Sequence, residues 1–427
     1  MTNSRPLRYL VGTFEIAGFV DDLAAGLRAN GAEVTTAMCM GQEAFGHIDY
    51  DVVIGRAVRD VSWPELSRRL LDGKRPPPRT KDPLSRLYHL IREHDVFVFI
   101  HSSLRHDHKR IPHRFGIGRE FSLLSRLGKR IISFLIGPDV RHPSGYDQEL
   151  KYLGIPAEPL ASLLRGWKSD PVSRPLRNLR RIERWADVIF SQPNQASLAL
   201  RPYRHGNAPI DVTAYTPKVP GRRVPLVVHA PSHRGVKGTE LILASLDRLK
   251  QRGVRFRLQL IEKKTNLEVQ AALEDADVCI DQVHLPMHGR LAVEAMAASC
   301  AVASCDQPRL EPLPPGRPIF PLSFDDLDGP LERLLTDRPL RVRLGNEARA
   351  HAESFHDRVA VARTLMESLG PGAPPPEHRP EFFARHYRLP PGVKIPADIL
   401  RLSRAIARRH GLPQGIDSKS LAKRGLL

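Results

Sequence analysis

The sequence predicts an α/β protein made of two successive halves, each a parallel sheet covered by helices. Two observations carry this. Short apolar runs alternate with longer amphipathic segments along most of the chain, which is the order of strands and crossover helices. At 427 residues the chain also exceeds what a single hydrophobic core supports, so two domains are expected.

The first half opens with an apolar run at 7–11, and Gly12 starts a loop, TFEIAG, that leads into a helix ending near Asn30 and Gly31. The next strand spans 34–37. In this order ligand sites lie at the carboxyl ends of strands, so Gly12 and Gly18 would line a site. They do not spell GxGxxG, and no dinucleotide fingerprint follows. A third strand at 51–54 precedes a helix at 64–71, and the stretch DGKRPPPRTKDP (72–83) reads as an exposed loop. The strand in DVFVFIHSS ends at His101, where reactive groups are expected; His106, His108 and His113 follow in a polar loop without the spacing of a metal site. The strand at 131–136 delivers GPDVRH, in which Asp139, Arg141 and His142 reach the same sheet edge, unless Asp139 simply caps the next helix. Leu176, Leu179, Ile182 and Trp185 make one side of a helix whose outer face is basic. A strand at 188–190 and the loop SQPNQ close this half, and 211–223, with Pro217 and Pro220, reads as the crossing.

The second half restarts with a strand at 226–229 and the loop APSHRGVKGTE. Arg234 and Lys237 flank Gly235, and Gly238 precedes a helix at 239–251. Two cations beside flexible backbone at a helix start suit a diphosphate; the other reading is a basic loop with Thr239 as the helix N-cap. A strand at 256–261 and a helix at 267–274 lead to the unit DVCIDQVHLPMHGRLAVEAMAASCAVAS (277–304), a strand, a loop with Pro286 and Gly289, a helix and a second strand. Gly289 lets backbone approach an anion at the helix mouth. Glu294 is either a solvated helix residue or, given its apolar neighbours Ala292, Val293, Ala295 and Met296, a carboxylate with a specific partner such as a sugar hydroxyl. Asp275-Ala276-Asp277 spells DxD at the amino end of a strand, away from the expected site, and is not read as a metal motif. A strand near Ile319 and helices at 324–335, 340–352 and 356–369 complete the half. PGAPPP (371–376) reads as a linker. The tail 377–427 carries 11 Lys or Arg against 4 Asp or Glu. In it Ile399, Leu402 and Ile406 share one helical face and Arg401, Arg404 and Arg408 another, a helix that packs on the protein itself or lies on anionic lipid.

The formal net charge of +18 favours an anionic partner. Nucleic acid is not expected, because no zinc-finger spacing, helix-turn-helix or RNA-recognition strand is present. The four cysteines lack CxxC spacing and read as core residues of a reducing compartment. No run of apolar residues is long enough to span a bilayer. The expected location is the cytoplasm, with peripheral contact at the inner face of the membrane left open.

The runs HAPSHRGVKGTE (229–240), ADVCIDQVHLPMHG with RLAVEAMA (276–297) and LLTDRPLRVRLGNEAR, and in the first half DVFVFIHSS, FLIGPDVRH and ADVIFSQPNQ, make residues 7–369 resemble the GT-B glycosyltransferases. The closer similarity is to the family-4 retaining group of bacterial surface polysaccharide synthesis. The resemblance implies two Rossmann-like domains facing each other across a cleft, an acceptor domain at 1–215, a donor domain at 224–369 and a basic extension at 370–427. It implies transfer of a sugar from a nucleotide-sugar to a polysaccharide or lipid-linked glycan acceptor, with no metal or other cofactor. Arg234 and Lys237 match the pair that holds the donor diphosphate, Glu294 the glutamate that meets the ribose, and His101 a histidine near the donor sugar. These three, His101, Arg234 and Lys237, are the catalytic candidates; Gly12, Gly238, Gly289, Asp281 and Glu294 are the donor-binding ones, and Asp139, Arg141 and His142 lie on the acceptor side. Pro286 stands where the family has its first glutamate, so that contact is missing or falls to Asp281, His284 or His288.

Overall fold

A computed structural model of the chain describes residues 5–13, 15, 17–38, 49–53, 61–73, 76–101, 120–135, 140, 143–158, 173–192, 195–307, 316–376, 378, 382–412, 416–424 and 426–427. They form two compact units. One comprises 1–146, 169–207 and 361–427, and the other 147–168 and 208–360.

The first unit contains β1 (Arg8–Thr13), α1 (Phe19–Ala29), β2 (Glu33–Met38), β3 (Val52–Val53), α2 (Trp63–Leu71), α3 (Pro83–Glu93), β4 (Val96–His101), α4 (Glu120–Arg126), β5 (Arg130–Leu135), α5 (Pro143–Leu153), α6 (Ser173–Trp185), β6 (Val188–Ser191) and β7 (Arg204–His205), with α5 running past the unit's boundary. The strands are all parallel, in the order β3-β2-β1-β4-β5-β6-β7. The order reverses between β1 and β4, where Gly12 pairs with Ala37 on one side and Phe99 on the other. Gly12 is thus inside β1, not the start of the loop, because the strand runs on to Thr13. The loop expected at 72–83 leads into α3, which sequence reading missed. Pro83 begins that helix, and Asp82 caps it by accepting from the Ser85 N–H at 2.9 Å. Proline at a first helical position starts a helix rather than ending a loop.

The main segment of the second unit begins at residue 208, just before the expected crossing at 211–223. The Ile210 N–H donates to the His356 carbonyl at 2.9 Å, and Ile210, Val212 and Tyr215 join the second core. The elements are β8 (Leu226–His229), α7 (Arg234–Lys237), α8 (Thr239–Gln251), β9 (Arg257–Leu260), α9 (Asn266–Asp275), β10 (Val278–Ile280), α10 (Arg290–Ala297), β11 (Ala301–Ser304), β12 (Ile319–Pro321), α11 (Asp328–Thr336) and α12 (Arg338–His351), which continues as a π-helical turn to His356; α13 (Arg358–Glu367) leaves the unit. Its parallel sheet has the order β12-β11-β10-β8-β9. Val227, Val278, Ile280, Ala301 and Ala303 face one apolar layer, with Leu246 and Leu331, while Val228, Cys279 and Val302 face the other, with Leu273 and Met296. Both faces are covered, which is why these strands read as unbroken apolar runs. Cys279, Cys300 and Cys305 are buried and free, and burial raises the Cys300 and Cys305 thiols to about 11, so they act as small core residues.

The C-terminal extension belongs to the first unit. After the proline run, Tyr203 and His378 exchange backbone hydrogen bonds of 3.0 and 3.1 Å. Then come α14 (Phe382–Arg385), α15 (Ala397–His410) and α16 (Ser418–Lys423). Of the two expected positions for its amphipathic helix, the structure shows the first. Ile399, Ser403 and Ile406 of α15 are buried, and α15 packs on α6. Arg180 of α6, a helix expected to carry a basic outer face, is fully buried beneath α15. It pairs with Glu183, donates to the Ser403 hydroxyl at 3.0 Å and to the Leu198 carbonyl at 3.0 Å. Glu183 also accepts from the backbone N–H groups of Leu200 and Arg201.

Candidate functional site

The carboxyl ends of β8 and β10 are adjacent although β9 lies between them in sequence, so the strand order of the second sheet reverses there. Ligands of open parallel sheets bind outside the strand ends at such a point. The loops leaving β8 and β10 meet there through His229. Its ring is buried, which holds its pKa below the ordinary value despite the hydrogen bond to Ile280, so it is neutral. Nδ1 lies 2.7 Å from the Ile280 carbonyl and carries the proton, since a carbonyl only accepts; Nε2, 2.9 Å from the Thr239 hydroxyl, accepts from it. Thr239 is therefore not the helix N-cap. That position falls to Gly238, whose φ of 73° is left-handed and leaves it without a capping side chain. His233 caps the short helix α7 through the Val236 N–H.

Lys237 ends α7 with its side chain turned inward. Its ammonium donates to Asp281 Oδ1 at 2.7 Å and to Gln282 Oε1 at 2.6 Å. Asp281 is fully buried, and its second oxygen accepts from the Gly289 N–H at 2.6 Å and lies 3.4 Å from the Ser304 hydroxyl. Burial alone would raise this carboxyl, but the Lys237 charge, its hydrogen bond and the Gly289 N–H outweigh burial and hold it below the carboxylate range. Gly289 leaves room for this cation: a Cβ there would stand 2.8 Å from Lys237 Nζ and 3.3 Å from Asp281 Oδ1, so the ammonium would have to shift. Gln282 also donates through Nε2 to the Met287 carbonyl, and His284 Nδ1 bonds the Gly235 carbonyl at 2.8 Å, tying the β10 loop to the β8 loop.

Arg234 has the opposite setting. It is part-exposed on the outside of the loop, with Nε donating to Glu240 at 2.8 Å and Nη1 to Glu262 at 2.9 Å. Hydrogen bonds to Glu240 and then Glu262 raise its pKa further above the ordinary value. Glu294 is 5% exposed, and its partner among the protein's own groups is Arg290, one turn earlier on α10, at 3.0 Å. Arg290 also reaches the Pro209 carbonyl at 3.3 Å. The Pro286 carbonyl accepts from the Gln307 N–H at 3.1 Å. His288 lies 3.8 Å from Asp306, which Arg317 also pairs.

The structure thus brings Lys237, Gly238, Asp281 and Gly289 together and sets Arg234 and Glu294 at the edges of the same loops. Asp281, one of the expected donor-binding residues, faces the protein's own lysine. Arg234 and Lys237, expected as the cations of a diphosphate site, each have a carboxylate partner. Sequence reasoning missed Gln282 and Arg290. The signal for Arg290 was present, since arginine and glutamate four apart on a helix pair readily; nothing in a single sequence marked Gln282. Asp275 and Asp277 bind Arg222, and Asp277 also accepts from the Leu226 N–H at 2.9 Å, so the DxD ties strand ends together. Among the described residues no group of His, Cys, Asp and Glu has the arrangement of a metal site. In the first unit, His101 ends β4 at the corresponding reversal of strand order, two residues beyond Phe99, the register partner of Gly12. Asp139, Arg141, His142, His106, His108 and His113 lie outside the described residues.

No protein-family model matches the chain, and no curated protein matches it. Solved structures do. The Anabaena HepE structure, in complex with UDP and glucose, aligns over 85% of this chain and 99% of its own at 12% identity and a TM-score of 0.51. Sucrose-phosphate synthase of Thermosynechococcus elongatus aligns over 85% and 98% at 12% identity and a TM-score of 0.50. At such identity the likeness establishes architecture, and that architecture is GT-B.

Proposed function

We propose that the chain is a glycosyltransferase that takes a sugar from a nucleotide-sugar bound at the carboxyl ends of β8 and β10 and passes it, with retention, to a polysaccharide or lipid-linked glycan acceptor. The observation that carries this reading is the buried Lys237 ammonium at the reversal of strand order, fixed by Asp281 and Gln282 beside the Gly289 N–H at the mouth of α10. The GT-B fold and the UDP held by HepE support it. In the reaction the bond from the sugar's anomeric carbon to the phosphate oxygen breaks and that carbon bonds to an acceptor hydroxyl oxygen. The diphosphate gains negative charge as it leaves. Lys237 is fixed in place for that charge, and the part-exposed Arg234 swings from Glu240 and Glu262 to meet it, a role that needs no metal. With retention the acceptor approaches from the side the diphosphate leaves, so a departing phosphate oxygen takes the hydroxyl proton. Glu294 accepts from the ribose hydroxyls while keeping Arg290 on its other side.

A second reading is a catalytically silent protein of the same fold that binds a nucleotide or glycan. Pro286 in place of a carboxylate, and the carboxylate partner of each of Arg234, Lys237 and Arg290, favour it. Arg234→Ala separates the two, because its ion pairs are exposed and the fold does not depend on them. For the transferase, turnover at saturating donor should fall by about a hundredfold, with a smaller change in donor Kd, since the cation acts on charge that develops in the transition state. A folded parent protein that binds a nucleotide-sugar but neither transfers nor hydrolyses it establishes the silent binder instead.

A further inference from the structure

Many arginines of the second unit are held by carboxylates: Arg222 by Asp275, Arg248 by Asp328, Arg252 by Glu332, Arg317 by Asp306, Arg343 by Glu347, and Arg358 by Asp211. Among the described residues, its exposed arginines without such a partner, Arg223, Arg255, Arg257, Arg333 and Arg338, are scattered over separate loops, strands and helices, whereas on α15 they line one helix. Arg401, Arg404, Arg408 and Arg409 are exposed, and among the described residues none has an ion pair or side-chain hydrogen bond. At about 100° per residue, Arg401, Arg404 and Arg408 fall within about 60° of arc, spread along about 10 Å of axis. They lie opposite Ile399, Ser403 and Ile406, which are buried. Residues 397–427 contain seven Lys or Arg and two Asp. Both aspartates are engaged, Asp398 with Arg177 at 2.8 Å and Asp417 as the cap of α16 through the Ser420 N–H. Lys419 and Lys423 of α16 are exposed as well, one helical turn apart. The cations also crowd one another: His410, at the end of α15, is held down at about 4 by burial first and then by Arg201, Arg409 and Arg184, although a helix C-terminus favours a charged histidine.

We infer that the outer face of α15 is a docking surface for the anionic headgroups of a lipid bilayer, held by charge without insertion. Insertion is excluded by the packing, since the apolar side of α15 is already buried on α6. What remains outward is a set of unpaired guanidinium groups, and four or more such cations on one helix match the charge of an anionic leaflet. A single-stranded nucleic acid would need stacking partners, and residues 397–427 contain no Phe, Tyr or Trp.

The test uses the full chain in which Arg401, Arg404 and Arg408 are all replaced by Gln. The probes are vesicles of phosphatidylcholine mixed with phosphatidylglycerol, vesicles of phosphatidylcholine alone, and duplex DNA. The parent should bind only the mixed vesicles and release them as salt screens the charges. The triple variant should partition about a hundredfold less, from roughly a fivefold loss for each of the three cations removed. The thermal midpoint should be unchanged, and Arg343→Gln in the second unit should bind like the parent. Equal vesicle binding by the triple variant overturns the inference, as does binding to duplex DNA at concentrations that leave the vesicles bare.

Discussion

Each unit buries an ion pair, and the two pairs differ in what lies next to them. Arg180 and Glu183 sit on one helix, three residues apart, and among the described residues they also bond the Ser403 hydroxyl, the Leu198 carbonyl and two backbone N–H groups. Lys237 and Asp281 come from different βα loops and sit where the strand order reverses, with the mouth of α10 beside them. Burial of a charge pair is thus no evidence of function by itself, since such pairs are about neutral for stability against an apolar replacement. Position in the topology separates a clamp from a candidate site. The first pair fastens the C-terminal extension, and the second fixes a cation where a ligand can arrive.

Substitutions that uncouple each pair sharpen this contrast. The largest loss should come from Glu183→Ala, which strands a buried guanidinium and two backbone donors. About 3–5 kcal/mol of unfolding free energy should go, read by urea titration, and α15 should become susceptible to proteolysis. A loss below 1 kcal/mol would mean that the extension is held by its apolar contacts alone. Asp281→Asn keeps the shape and removes the charge, and should cost about 1.5–3 kcal/mol as a charged hydrogen-bond acceptor is lost. Its extension should stay protected, which is where the two pairs part company. The effect that is smallest at neutral pH is a pH dependence in the second unit. His356 is buried and neutral, its imidazole held down at about 3 by burial first and by His288, His351 and Arg290. Its unfolded value is near 6.5, so on acidification the unfolded chain takes up its proton first. This contribution is complete above about pH 6.5 and is lost progressively toward pH 3, and His356→Gln should flatten that part of the thermal-midpoint profile.

How much was legible follows from where each signal lives. The strands of the second sheet were readable because both faces are covered and each strand is a plain apolar run, and the positions of Lys237, Gly238, Gly289 and Glu294 followed from strand-loop-helix order. Their partners did not. Whether Lys237 faces solvent or Asp281 depends on the meeting of two loops 44 residues apart in sequence, and no local pattern encodes it. Helix α3 was hidden because Pro83 ends one pattern and begins another. The burial of Arg180 is not legible, because helical periodicity reports which residues share a face, not that a later helix will cover it. Gly238 before α8 is visible in the sequence, and the alternative reading of Thr239 as the cap fails because a threonine at a helix start fits that role locally while its bond to His229 is a tertiary matter.

The missing side chain at Gly289 has a consequence for how sequences of this kind can drift. Any methyl group there takes the volume in which the Lys237 ammonium sits. The two positions are therefore coupled: alanine at 289 is harmful while 237 is lysine and harmless once 237 has become short and uncharged, and the reverse order of changes passes through a buried, lone Asp281. A library that varies one site at a time would score both as immutable. Only a library varying 237, 281 and 289 together would show that what is fixed is a volume and a charge shared among three residues, and that substitution can cross from one solution to another only in concert.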